Sequence, residues 1–377
     1  MNPHMKKIAL ITDIAARWLA VLGAMQVSRC GRARMHDHAK LATIRASAIG
    51  TFVMHRQHPA PRILPFLLFV LFAACAGLVR AAPDVASNVD PLIGTGGDGH
   101  TFPGATVPFG MIQLSPDTAM PDFHHAYKWA AGYQYGDRSI LGFSHTHFSG
   151  SGHSDLGDVL LMPGVGEARL DPGDPDQPGS GYRSRFSHKT EVARPGYYAV
   201  TLQDSGVRAE LTANARVGWH RYTFPRGKDA HVLLDLRPSI YDYKGKVLWA
   251  RLRVRDDGTV TGYRETRGWA PGRQLYFAIR FSQPMVVHQL VNRETDIPYK
   301  GFKGPDANPS GQDAIAGKQL EGVFGFGKLK SPLLVKVAIS TVSEADAIAN
   351  LDADGKGWDF DAQRAAARSA WAKALSA

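Results

Sequence analysis

The residues best suited to chemistry lie between Val89 and Gly166. There the stretch GFSHTHFSGSGHSDLGDV sets His145, His147 and His153 close to Asp155 and Asp158, downstream of a glycine-rich run, Gly94-Thr95-Gly96-Gly97-Asp98-Gly99. Four readings compete on these residues alone. Imidazoles and carboxylates ligate metals, and His145 and His147, two apart, would share one face of a strand. The alternating Thr146 and Phe148 suit a hydrogen-bonded pair on a half-buried face just as well. Calcium would take carboxylate and carbonyl oxygens, but the loop spacing of an EF-hand is missing. The glycine run has the look of a phosphate cradle, yet no Lys-Ser/Thr follows it as a P-loop requires. Ser149-Gly150-Ser151-Gly152-His153 brings hydroxyls near a histidine, without the strand-to-helix elbow of a hydrolase nucleophile. The fourth reading is a sugar site. Polar tips, approachable glycine backbone and the aromatics Phe102, Trp129 and Tyr133 match a ligand with hydroxyl edges and apolar C–H faces. Trp129 and Tyr133 fit a hydrophobic core equally well.

The elements that must position these residues read as strands. Gly and Pro clusters close short β-branched or aromatic runs at Tyr197–Leu202, Val207–Leu211 and Val217–Phe224, which form a meander. Val247–Val254 alternates in polarity and turns through Asp256-Asp257-Gly258 into Val260–Arg264, a hairpin signature. His231–Leu236, Leu275–Phe281 and Leu333–Ser340 are apolar enough for interior strands. The expected fold class is mainly β, a large antiparallel β-sandwich with a short C-terminal helical linker. The linker follows from Ser343-Glu344, which opens a helical stretch to about Leu351, and from Asp359, which precedes the Ala-rich DAQRAAARSAWAKALSA. Phe360, Ala367, Trp371 and Leu375 fall on one side of that second helix.

Charge excludes one class of partner. Lys and Arg exceed Asp and Glu by 44 to 34, but ten of the basic residues lie before Ile63, and residues 83–377 hold 33 basic against 32 acidic residues. A nearly neutral body argues against nucleic-acid binding. The excess marks the front end as a leader. Ile63–Val79 is uncharged, follows Arg56 and Arg62, and ends before the small residues Ala81-Ala82, as in a secretory signal peptide. Seventeen apolar residues are short for a bilayer span, so no stable membrane span is expected. Met54 would give an ordinary leader, which makes 1–53 an expected non-native extension and 54–82 the signal peptide. Both cysteines, Cys30 and Cys75, precede Ala82, so a mature chain starting there has no disulfide and no thiolate metal site. Phe72-Ala73-Ala74-Cys75 also resembles a lipobox, and cleavage there would leave a lipid-anchored Cys75. The expected location is secreted or periplasmic.

The two long motifs VDPLIGTGGDGHTFPGATVPFGMIQLSPDT and GFSHTHFSGSGHSDLGDVLLMP resemble the N-terminal domain of the glycoside hydrolase family 92 α-mannosidases, in the same order and spacing. The likeness extends from about Asn88 to Ser340. It implies a secreted or periplasmic, calcium-dependent, inverting exo-α-mannosidase acting on mannose-containing glycans, with a β-sandwich (83–340) joined through a helical linker (341–377) to an (α/α)6 barrel. In that family the acid, the base and the calcium ligands come chiefly from the barrel, which this chain lacks. The resemblance therefore implies a pocket-completing domain that is inactive alone, with no catalytic and no metal-binding residue of its own and with the barrel as its missing partner. Inverting hydrolysis needs an acid and a base roughly 6.5–9.5 Å apart, and Asp155 and Asp158, three apart on one strand, would face opposite sides. Substrate-pocket roles carry over to Gly99, His100 and Phe102, to Trp129 as a sugar-stacking residue, and to His145, His147, His153 and Asp155. Family members often have Ser-Gly-Thr-Gly-Cys where this chain ends its version on His153, and an imidazole there is larger and can donate to a sugar hydroxyl. A free-standing carbohydrate-binding or interaction module is the alternative reading.

Overall fold

The computed structural model describes residues 84–118, 131–150, 156–177, 179–294 and 313–376. The leader, both cysteines, Trp129, His153 and Asp155 lie outside the described residues. Among those described, the strands form three antiparallel sheets, numbered here in chain order. The first has seven strands: β1 (Ala105–Thr106), β2 (Gln113–Asp117), β4 (Gly142–Ser144), β5 (Leu160–Val165), β11 (Asp229–Asp235), β17 (Leu320–Lys328) and β15 (Val287–Asn292), adjacent in that order. The second has nine, in the order β16 (Ala314–Gly317), β12 (Val247–Val254), β13 (Val260–Thr266), β14 (Arg273–Phe281), β18 (Leu333–Ser340), β10 (Val217–Thr223), β9 (Arg208–Ala213), β8 (Tyr197–Thr201) and β7 (Val192–Arg194). A two-stranded ribbon joins β3 (Ser139–Ile140) to β6 (Ser184–Arg185).

Alternation decides which faces meet. In β12, Ala250, Leu252 and Val254 are buried while Arg251 and Arg253 are exposed. In β18, Leu333, Val335, Val337 and Ile339 enter one core with Leu114, Phe143, Leu161 and Leu234 of the seven-stranded sheet. This is a sandwich core, with interdigitating side chains from two inner faces.

The other face of the nine-stranded sheet is apolar too, and two helices cover it. Helix α1 (Glu344–Asp354) is capped by Ser343, whose side chain accepts from Asp346 N, and α2 (Phe360–Leu375) by Asp359, which accepts from Ala362 N at 2.9 Å. Ala347, Leu351 and Phe360 pack with Tyr197, Val217, Trp219, Ala278 and Ala338. Lys336, buried on that face of β18, donates to the carbonyls of Gly355 (2.5 Å) and Gly357 (2.7 Å) and lies over the Trp219 and Trp358 rings. Burial brings its ammonium down to about 8. Arg216 clasps Asp354 through two bonds of 2.7 and 2.9 Å. At Gly196 (φ +77°) a β-carbon would meet the Ala367 β-carbon at 2.8 Å, so α2 approaches this turn closely because it has no side chain. The stripe expected on α2 is partly buried: Phe360 and Ala367 are inside, Trp371 is half-buried with its Nε1–H donating to Thr106 O at 2.7 Å, and Leu375 is exposed. The helical linker is thus a cover for this sheet.

Candidate functional site

Three loop segments meet beside β2 and β4. The 94–102 loop folds on itself through Thr101 N donating to Gly94 O (3.1 Å) and Thr101 Oγ1 to Ile93 O (2.8 Å). Gly99 is required here, since a β-carbon would sit 2.1 Å from the Gly94 carbonyl oxygen. Tyr135 N donates to Thr95 O (2.9 Å), and Gly150 N donates to His100 O (2.9 Å). Backbone bonds therefore tie the segments at 94–102, 131–135 and 145–150 into one cluster. His100 adopts a left-handed backbone at φ +51°, a conformation that non-glycine residues take up mainly where surrounding structure enforces it.

Phe102 is half-buried, and its ring centroid lies 5.3 Å from that of His147. His147 is fully buried behind it. Its Nδ1–H donates to Gln113 O (2.7 Å), its backbone N–H to Gln113 Oε1 (3.3 Å), and its Nε2 meets Asp117 Oδ1 at 2.9 Å. The other oxygen of Asp117 accepts from Ser144 N (3.0 Å). The platform under Phe102 is thus a pinned imidazole on a buried carboxylate.

His145 points elsewhere. The expectation that His145 and His147 share one strand face is corrected, because β4 ends at Ser144 and the two rings take different partners. His145 Nδ1 meets Val159 O (2.7 Å), which can only accept, so this nitrogen carries the hydrogen. The His145 Nε2 then accepts from His220 Nε2–H at 2.9 Å, and His220 Nδ1 accepts from Tyr222 O–H at 2.7 Å. Both rings are fully buried. Burial brings His145 down to about 3 and His220 well below the ordinary histidine value. The chain Tyr222–His220–His145–Val159 leaves no ring nitrogen of either histidine for a ligand.

The buried carboxylates are likewise committed. Asp158 accepts from Thr146 Oγ1 (2.6 Å), Arg273 (2.9 and 3.2 Å) and Arg264 (3.3 Å). Desolvation would raise its pKa, but the two guanidiniums outweigh that and hold it below the usual carboxylate range. Glu191 accepts from Tyr133 (2.9 Å), Tyr198 (2.6 Å) and His188 (2.5 Å). Tyr133 is therefore a buried support and not an exposed sugar platform. Tyr135, stacked on His188 at 3.9 Å and partly exposed, is the aromatic that this network holds out.

Of the sequence-derived candidates, Gly99, His100, Phe102 and His147 come together, and His145 is drawn into the sandwich. Sequence reasoning missed Gln113, Asp117, Glu191 and His220. The only local signal was Asp117 inside the SPDT of the first motif. Among the described residues no three His, Cys, Asp or Glu side chains converge as metal ligands. Calcium needs six to eight oxygens, and Asp117, Asp158 and Asp235 are taken up by His147, by Arg264 with Arg273, and by Arg237. The described donor set does not fit a calcium site. What the cluster can do is present backbone groups and aromatic faces to a polyhydroxylated ligand. Among the described residues no helix is long and apolar enough to cross a membrane.

Comparison with known proteins agrees with this fold. Residues 88–340 match the glycosyl hydrolase family 92 N-terminal domain. A family 92 alpha-mannosidase from Bacteroides thetaiotaomicron, solved also in complex with mannoimidazole, superposes with a TM-score of 0.69 at 38% identity, covering 77% of this chain and 38% of its own. An inverting mannosidase of the same family and organism shares the fold at a TM-score of 0.59 and 23% identity, over 76% of this chain and 36% of its own. An uncharacterized secreted glycosidase from Arthroderma benhamiae is 26% identical over 327 residues, 78% of this chain and 38% of that protein. The chain spans less than two fifths of the length of each relative.

Proposed function

The chain belongs to glycosyl hydrolase family 92, whose N-terminal domain it carries, and on that premise we propose that it forms one wall of the sugar pocket of a secreted or periplasmic α-mannosidase. The observation that carries this reading is the cluster of loops at 94–102, 131–135 and 145–150, locked by backbone hydrogen bonds with Phe102 on its face. In this reading Gly99 and His100 supply backbone and Phe102 an aromatic face, and the family likeness assigns pocket roles to Trp129, His153 and Asp155 as well. His147 and His145 act from behind, as supports.

The catalytic acid, the base and the calcium ion of inverting hydrolysis belong, in this reading, to the portion of the relatives that these residues do not match, the (α/α)6 barrel. Supporting this, Asp158 and Asp235 are neutralised by guanidiniums, Glu191 accepts from two tyrosine hydroxyls and His188, and Asp117 is held by the His147 ring and the Ser144 backbone N–H. On its own the chain hydrolyses no mannoside. The uncharged Ile63–Val79 run and the secreted relative support export, with anchoring through Cys75 as the lipidated variant of the same route.

The test is calorimetric titration of the purified chain with α-linked mannobiose. Weak, saturable binding is expected, weakened at least about fivefold in Phe102→Ala, the loss of one aromatic face, with an unchanged unfolding midpoint. Binding unaffected by that substitution, or no binding at all, would overturn the pocket-wall reading.

A further inference from the structure

A second concavity lies between β5, β11 and the residues at 167–169 and 179–185, with a volume of about 390 Å³. None of the clustered loops described above lines it. Its wall contains Arg169, Arg183, Arg185 and His231 against Glu167 and Asp204. Arg185 is already bound to Asp204. Arg183 is the unusual member. It is only 8% exposed, yet its guanidinium meets neutral oxygens alone, Ser139 Oγ at 2.7 Å and Thr118 O at 3.4 Å. Among the described residues no carboxylate pairs with it, and its Nε has no hydrogen-bond partner. Burial pulls it below the ordinary arginine value.

Asp137, Asp174 and Asp176 act on Arg183 only from beyond contact distance, and a guanidinium removed from water with no anion in direct contact is costly. The chamber is in the size range of small-molecule sites and far larger than a bare oxyanion needs. Ser205 lines it too, whereas the buried Ser184 hydroxyl is taken up by Arg185 O and Asp204 N, at 3.1 Å each. His231 donates from Nδ1 to Gly166 O at 3.1 Å, which leaves Nε2 as the accepting nitrogen. We propose that this pocket binds a saccharide bearing an anionic oxygen group, with Arg183 as the buried counter-charge and Arg169 as its exposed partner at the rim. The ring hydroxyls face Ser205 and His231, and the acidic group meets the planar donors of Arg183. The inference is independent of the mannose-pocket reading.

Equilibrium titration in a buffer free of phosphate and sulfate tests it, with methyl glucuronide, glucose 6-phosphate, methyl glucoside and inorganic sulfate as probes. At least one of the two acidic sugars should bind at least about tenfold tighter than the neutral glycoside and tighter than sulfate, and the stronger of the two identifies the acidic group. That affinity should weaken with added salt. Arg183→Met should lower it about tenfold or more. Arg169→Ala, at an exposed position and without consequence for folding, should lower it severalfold with an unchanged melting temperature, which keeps the test decisive if Arg183→Met fails to fold. Equal binding of acidic and neutral sugars, sulfate binding as tight as either sugar acid, indifference to Arg169→Ala, or no binding would each overturn the proposal.

Discussion

His145 and His220 are neutral inside a sandwich whose unfolded chain would titrate them near 6.5. Their folded values are depressed, so their contribution to stability is complete above about pH 6.5 and is lost as pH falls toward 3, where the unfolded chain takes up protons the native state refuses. Glu321 acts in the opposite sense. It lies across from Asp235 in the β11–β17 register, and burial, then the Asp235 charge, raises it to about 8 against Arg237. Between its unfolded value of about 4.5 and 8 the native state keeps a proton that the unfolded chain has released, so stability falls with rising pH, by at most about 1.4 kcal/mol per pH unit. Urea unfolding followed across pH 4.5–8.5 should show greatest stability near pH 6.5, and Glu321→Gln should flatten the alkaline limb. An alkaline limb unchanged in that variant would contradict the assignment of the retained proton to Glu321. At Asp158, substitution by Asn leaves Arg264 buried with a much weaker partner, and a loss of roughly 3–5 kcal/mol in denaturant unfolding is expected; a loss under about 1 kcal/mol would show that the ion pairs hold little.

At the scale of elements, Lys336 decides how the helices sit on the nine-stranded sheet. Lys336→Ala removes two bonds to the carbonyls of the α1–α2 connection and the ammonium between two tryptophans, with an expected loss of roughly 2–4 kcal/mol. Limited proteolysis should then cut first near Gly355–Trp358, and a cleavage pattern like that of the unaltered chain would refute this role. The strands that sequence reading located, β8 to β14 and β18, carry at most one glycine each among their apolar and β-branched residues, and both helices were legible from Ser343, Asp359 and the alanines. Strand β17 was not, because Gly322, Gly325 and Gly327 break its LEGVFGFGK pattern, although its neighbours supply the ladder. The short strands β1 to β4 hide in Gly- and Pro-rich sequence for the same reason. In the candidate site, glycine density and Phe102 marked loops that backbone hydrogen bonds bring together. The partners that fix His147 and His145 were invisible, since Asp117 lies 30 residues and His220 75 residues away in sequence, brought near only by the sandwich.

At the scale of the molecule, a nearly neutral sandwich gathers three loop segments at one place, the proposed sugar wall, and among the described residues the buried carboxylates Asp117, Asp158, Asp235 and Glu321 each meet an imidazole or guanidinium. The relatives are more than twice as long, and the region they share with this chain is the one that carries the two motifs. The proposed function divides the labour, with recognition surfaces here and proton transfer elsewhere. The most direct measurement is release of mannose from α-linked mannobiose by the purified 377-residue chain, with calcium present and with it chelated. Turnover no higher than that of a buffer blank is expected in both conditions. Sustained release proportional to protein concentration would contradict it, because a working acid and base would then have to lie within these residues.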